Sequence, residues 1–186
     1  MNCQHLKRRP HMRSWGLVLL IGVACSMALS NVSAEGGLPI KAPAASFTIE
    51  GKEYRISDFQ DRRLMLWFLS TWCSSCIQAV KVLEERKSKL EASGMQIVVL
   101  KNHQNGGYPG PEIDDFINRY AASLSDTPNW MIGDATAEMG TTYNPRRYPD
   151  IYFLIDETGM LVAVDGAPAV SLDVIMNFAS GNAEGN

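Results

Sequence analysis

Cysteine is scarce in this 186-residue chain: there are four, and two of them, Cys3 and Cys25, fall near the start. Past residue 34 only Cys73 and Cys76 remain, so that pair must carry any thiol chemistry. Histidine is scarcer still. His103 is the single one past residue 34, and a zinc site built on the two thiols and His103 lacks a convincing fourth ligand. Long apolar runs are missing as well. Trp15 to Leu29 is apolar but shorter than the roughly 20 residues a membrane helix needs. Positive charge is in deficit. Once the four basic residues before residue 35 are set aside, 13 basic stand against 20 acidic residues, a charge of −7. Such a balance excludes a duplex-binding role resting on phosphate neutralisation. There is no internal repeat and no low-complexity tract.

The early segment has the composition of an export signal. Lys7, Arg8, Arg9 and Arg13 form a basic head, the apolar stretch follows, and Val32-Ser33-Ala34 offers small residues for cleavage. The expectation is a signal peptide over 1–34, cleaved near Ala34, with an uncleaved anchor as the alternative. Residues 35–45 carry Gly36, Gly37, Pro39 and Pro43 and read as a flexible lead-in. A domain follows over 46–180, then a disordered tail over 181–186. Export places the thiol pair in an oxidising compartment, where disulfides persist. The expected location is periplasmic or extracytoplasmic, with no stable membrane insertion after signal removal.

Along the domain, Ser46–Ile49 and Glu53–Ile56 flank a Gly-containing turn and predict a hairpin. Arg63 to Ser70 is nearly continuously apolar, as in a strand buried on both faces. Cys73 to about Ser93 has helical spacing and ends at Gly94. Met95–Leu100 predicts a second buried strand. A polar, glycine-rich loop from Asn102 to Gly110 follows, then a helix with Pro111 at its first position. Trp130–Ile132 predicts a strand, Ala135–Tyr143 a helix, and Ile151–Ile155 with Leu161–Val164 a hairpin. Ser171 caps a last helix ending near Ala179. Strands alternating with helices imply an α/β domain, a central mixed sheet flanked by helices.

Trp72-Cys73-Ser74-Ser75-Cys76 sits at the strand-to-helix junction. Two thiols three apart there can close and reopen a disulfide. Cys73 lies at the helix start, where unpaired N–H groups and about half a positive charge favour a thiolate. Cys73 is therefore the expected attacking thiol and Cys76 the resolving one. A staple closing so short a ring would add only about 2 kcal/mol, a poor use of two cysteines. Ser74 and Ser75 are candidates to stabilise the thiolate through N–H and hydroxyl groups.

Three stretches resemble the thioredoxin-like fold, and within it the exported TlpA/ResA-type thiol-disulfide oxidoreductases. They are the entry hairpin Gly51–Phe59, the strand and motif Trp67–Cys76, and the proline loop and hairpin Tyr148–Gly159. The resemblance implies a thioredoxin-like fold with an N-terminal β-hairpin and a central insertion between Met95 and Asp134. It implies that Pro149 is a cis proline facing the thiols, that Tyr148 offers free backbone to an extended client, and that Trp72 contacts partners. It implies exchange with client protein thiols and disulfides in the reducing direction, as in cytochrome c maturation or copper-site assembly. A membrane thiol carrier supplies electrons, the protein is a monomer, and no cofactor is needed beyond the Cys73–Cys76 disulfide.

The chain also departs from that family's pattern. Ser75 replaces a Pro, Ala79 a Glu, Trp67 thioredoxin's buried Asp, and Asp150 the usual Thr after the proline. With the usual acids gone, Glu84, Glu85 and Asp150 are the candidate proton acceptors, Asp150 first. Two other functions remain open: a copper or other metal-delivery module using Cys73, Cys76 and His103, and a disulfide-forming oxidase.

Overall fold

The computed structural model describes residues 37–182. Eight strands form one mixed sheet: β1 (Ile40–Lys41), β2 (Ser46–Ile49), β3 (Lys52–Arg55), β4 (Leu64–Leu69), β5 (Gln96–Lys101), β6 (Trp130–Asp134), β7 (Asp150–Ile155) and β8 (Met160–Asp165). Their order is β1-β8-β7-β4-β5-β6-β2-β3. β4, β5 and β6 run parallel, and β7 lies antiparallel to β4. Five helices accompany the sheet: α1 (Ser74–Glu85), α2 (Lys87–Ala92), α3 (Ile113–Tyr120), α4 (Ala137–Tyr143) and α5 (Leu172–Ala179). The fold is thioredoxin-like, a mixed α/β sheet with helices on both faces.

The central strand explains the layers. Side chains alternate faces along a strand, so the apolar run of β4 splits into two sets, all buried. Met65, Trp67 and Leu69 pack with Val80 and Leu83 of α1, Phe116 of α3 and Phe178 of α5. Leu64, Leu66 and Phe68 pack with Phe47, Phe59 and Met139 and Tyr143 of α4. Each face carries its own core, which a strand with only one apolar face could not supply.

Several local expectations change. The long helix breaks at Arg86 into α1 and α2, where the Arg86 N–H bonds to the Leu83 carbonyl three residues back. Pro111 does not open a helix: α3 starts at Ile113, and the Pro111 carbonyl accepts from Thr71 Oγ1. Ser171 precedes α5 but its hydroxyl does not cap it. Its oxygen accepts instead from the Tyr152 hydroxyl, 2.8 Å away. From Ile40 onward the lead-in joins the sheet. Ile40 and Lys41 pair with Leu161 and Met160 of β8, and the Pro43 carbonyl accepts from Tyr143 Oη at 2.6 Å. These partners lie about a hundred residues away in sequence, which local composition does not reveal. The expected signal segment 1–34 and the tail beyond Asn182 lie outside the described residues.

Candidate functional site

The site forms where β4 ends, β7 begins and α1 starts. β4 and β7 are in register with Leu69 opposite Asp150, so the chain leaves β4 into the cysteine motif directly beside the first residue of β7. Cys73 is the residue preceding α1, with extended backbone angles, and its carbonyl accepts from the Ile77 N–H. Cys76 lies one turn further in. Both thiols are free. Cys76 is fully buried, while Cys73 keeps 7% of its surface exposed.

A carboxylate joins them. Sulfur atoms of Cys73 and Cys76 and an oxygen of Asp150 lie within 4.8 Å of one another. Asp150 Oδ1 accepts from the Trp67 indole N–H at 2.8 Å, and Oδ2 accepts from the Ser75 hydroxyl at 2.7 Å. Ser75 Oγ is also 3.0 Å from Cys73 Sγ. The Cys76 thiol donates to the Pro149 carbonyl at 3.2 Å. Burial pushes the Asp150 carboxyl above its ordinary value of 3.8, while hydrogen bonds from Ser75, Trp67 and Cys76 pull it back. Burial, then the nearby Asp150 charge, pushes the Cys76 thiol strongly up. Of the candidate acids, Asp150 alone reaches the thiols. Glu84 accepts from the Ser123 N–H and hydroxyl, and Glu85 is exposed beside Arg86. Ser74 is exposed and makes no side-chain hydrogen bond to either sulfur.

The proline loop differs from expectation. Among the described residues the cis peptide bond is Leu38–Pro39, and Tyr148–Pro149 is trans. Nor is the Tyr148 backbone free. Its N–H donates to Asn144 Oδ1 at 2.8 Å, and its carbonyl accepts from Asn144 Nδ2 and Asn102 Nδ2. Two buried asparagine side chains take up the groups an extended client would otherwise pair with, leaving the half-exposed ring of Tyr148 as its outward face. Pro149 still lies against the pair, since its carbonyl accepts from both the Ser70 N–H and the Cys76 thiol.

Asparagines were the site residues that sequence reasoning missed. Asn105 Oδ1 accepts from the Thr71 N–H at 2.9 Å and its Nδ2 donates to Thr71 Oγ1 at 3.0 Å. Its carbonyl accepts from the Trp72 indole. Asn102 and Asn144 bond to each other and to the proline loop. One signal was present: Asn105-Gly106-Gly107 is a left-handed turn sequence, and all three residues adopt positive φ. Trp72 is 42% exposed and meets Tyr108 edge-on at 4.9 Å between ring centres. Those rings form an aromatic surface beside Cys73. His103 does not join the thiols. It is exposed on the rim of a hollow shared with Lys101, Glu112 and Asp134, and Cys73, Cys76 and Asp150 are the only cluster of three potential metal ligands among the described residues.

A dithiol at a helix start, with a half-buried carboxylate against it, is arranged for thiol exchange, and comparison with known proteins agrees. The Redoxin family model matches residues 40–171. The chain belongs to the Redoxin family. Among its relatives, the thiol-disulfide oxidoreductase ResA of Geobacillus thermodenitrificans is 24% identical over 94% of this chain and 97% of the relative. ResA of Geobacillus kaustophilus is 23% identical over 77% of this chain and 78% of its own length. Among solved structures, a putative thiol:disulfide interchange protein DsbE from Chlorobium tepidum superposes with a TM-score of 0.53 at 20% identity, covering 77% of this chain and 97% of that one. That similarity speaks for the fold alone. The expectation of a TlpA/ResA-type thioredoxin-like protein, and with it of an oxidoreductase, holds.

Proposed function

We propose that this Redoxin-family protein is an extracytoplasmic thiol-disulfide oxidoreductase that reduces disulfides in client proteins through Cys73 and Cys76. The observation that supports it is the pairing of a marginally exposed Cys73 at the helix start with a buried Cys76 and a half-buried Asp150 within 4.8 Å. Cys73, as thiolate, attacks a client disulfide. One client sulfur departs and a mixed disulfide forms. Cys76 gives its proton to Asp150 and attacks Cys73, and the second client sulfur leaves with the electron pair and takes up the proton from Asp150. Two electrons and two protons pass to the client, and the protein is left as its Cys73–Cys76 disulfide. No other cofactor takes part. Clients of the cytochrome c maturation or copper-site assembly kind, and a membrane thiol carrier that restores the dithiol, suit the reducing direction.

Cys73→Ser should abolish turnover in an insulin-reduction assay and Cys76→Ser should accumulate mixed disulfide. Unchanged turnover in Cys73→Ser would remove the proposal. A reduction potential near about −270 mV fits a reductant, and one near about −120 mV marks the disulfide-forming alternative. The metal-delivery alternative needed His103 beside the thiols, and the position of His103 speaks against that ligand set. Copper uptake by the reduced protein that is lost in His103→Ala would revive it.

A further inference from the structure

Trp67, Ser75 and Asp150 come from three separate segments; Ser75 and Asp150 stand where the TlpA/ResA resemblance leads one to expect Pro and Thr, and Trp67 stands where thioredoxin itself carries a buried Asp. In the folded protein all three meet at one carboxylate. Trp67 is fully buried, at the middle of β4. Its indole N–H, a donor only, ends 2.8 Å from Asp150 Oδ1. Ser75 occupies the first turn of α1, and its hydroxyl lies between Asp150 Oδ2 at 2.7 Å and Cys73 Sγ at 3.0 Å. A hydroxyl accepts one proton while donating another, so the three atoms Sγ, Oγ and Oδ2 form an unbroken path.

We propose that Ser75 is the proton conduit between Cys73 and Asp150, and that Trp67 is the positioning residue that holds the carboxylate in line. The inference rests on the redox reading above and adds a route to it. When Cys73 ionises, its proton passes to Ser75 Oγ as the Ser75 proton passes to Asp150 Oδ2. The three groups together neither gain nor lose a proton. The thiolate then forms the bond to a client sulfur as the client disulfide breaks, and the departing sulfur keeps the electron pair and takes the proton that Asp150 received. Asp150, ionised again, stands ready for the proton of Cys76. One carboxylate thereby serves both thiols in turn.

The geometry favours a route over a mere packing contact. Both carboxylate oxygens are engaged by protein donors, so the group has one orientation. The groups with titratable protons that face it are Cys73 and Cys76 from α1, and none of the ion pairs among the described residues involves Asp150. No cation competes for the charge, and the donors alone hold the ionised form.

The test is the pH profile of Cys73 alkylation in the purified reduced protein, with label at Cys73 quantified by peptide mass. Ser75→Ala and Trp67→Phe each remove one donor to the carboxylate. Each should move the acid limb of the profile to higher pH by about one unit. Ser75→Thr, which keeps the hydroxyl, should restore the wild-type limb. Asp150→Asn should remove the limb, and Ser75→Ala added to it should produce no further shift. A purely structural Ser75 would lower the rate at every pH without moving the limb, and that result overturns the proposal, as does a Ser75→Ala shift that persists in Asp150→Asn. If Trp67→Phe fails to fold, the serine pair of variants decides alone. The redox reading is separable: it falls only if Cys73→Ser keeps disulfide-exchange activity, whereas an unmoved limb in Ser75→Ala with inactive Cys73→Ser removes the relay and leaves the oxidoreductase standing.

Discussion

Asp150 bears an energetic cost that its neighbours only partly offset. Burial raises its carboxyl above the ordinary 3.8, and hydrogen bonds from Ser75, Trp67 and Cys76 act in the other direction without cancelling the rise. A raised pKa in the folded state means the folded protein binds the proton more tightly than the unfolded chain. The reduced protein should therefore be most stable below about pH 3.8 as far as this group is concerned, and should lose that contribution as pH rises through the raised value. Asp150→Asn should flatten this dependence and raise the urea midpoint at neutral pH, by an amount on the order of 1 kcal/mol. Urea melts of both proteins across that pH range check it, and an unchanged or lower neutral-pH midpoint would contradict it. At this scale the motif was legible, because two cysteines three apart after an apolar run say where a thiol pair sits. The hydrogen bond from Trp67 was not. A tryptophan inside an apolar run reads as packing, and only the Leu69–Asp150 register places its indole N–H opposite a carboxylate.

Between elements, the loop after β5 is clamped to the chain leaving β4. Asn105 satisfies both the N–H and the hydroxyl of Thr71, and Thr71 Oγ1 in turn donates to the Pro111 carbonyl. Gly110 lies where this clamp leaves no room. A Cβ there would stand 2.5 Å from both Asn105 Nδ2 and Thr71 Oγ1. Gly110→Ala should destabilise the protein by roughly 1–3 kcal/mol and loosen Trp72, whose indole bonds to the Asn105 carbonyl. Urea denaturation measures the first effect and tryptophan fluorescence the second. Substitution without loss of stability would show the clamp to be dispensable. The helix and strand spans were readable from periodicity, whereas the clamp was not. Polar loop residues look alike in sequence, and which of them become buried depends on which loops the sheet brings together.

At the scale of the whole sheet, the β8 edge is covered because the first strand returns to the last hairpin. β1 pairs with β8, Ala42 N–H donates to the Gly159 carbonyl, and Tyr143 holds Pro43 from the far face. Removing the chain through Ala42 should uncover the β8 edge and cost roughly 1–3 kcal/mol from the lost hydrogen bonds, with the active-site dithiol unaltered. The check is a urea melt of the truncated protein together with Cys73 alkylation. Stability equal to the full chain would refute the role of β1.

The linear order of residues already determined the class of fold and the place of the thiol pair. Continuous apolar runs demand burial on two faces, alternation with helical segments demands a covered mixed sheet, and a lone dithiol at a strand-to-helix junction demands thiol chemistry. These are properties of a few neighbouring residues, so they survive without the fold. The contact of Asp150 with both thiols, the blocked backbone of Tyr148, the separation of His103 from the thiols and the docked first strand were decided by tertiary structure. Most of these depend on contacts between groups 30 to 120 residues apart, and such contacts exist only after strand register and loop packing have been chosen.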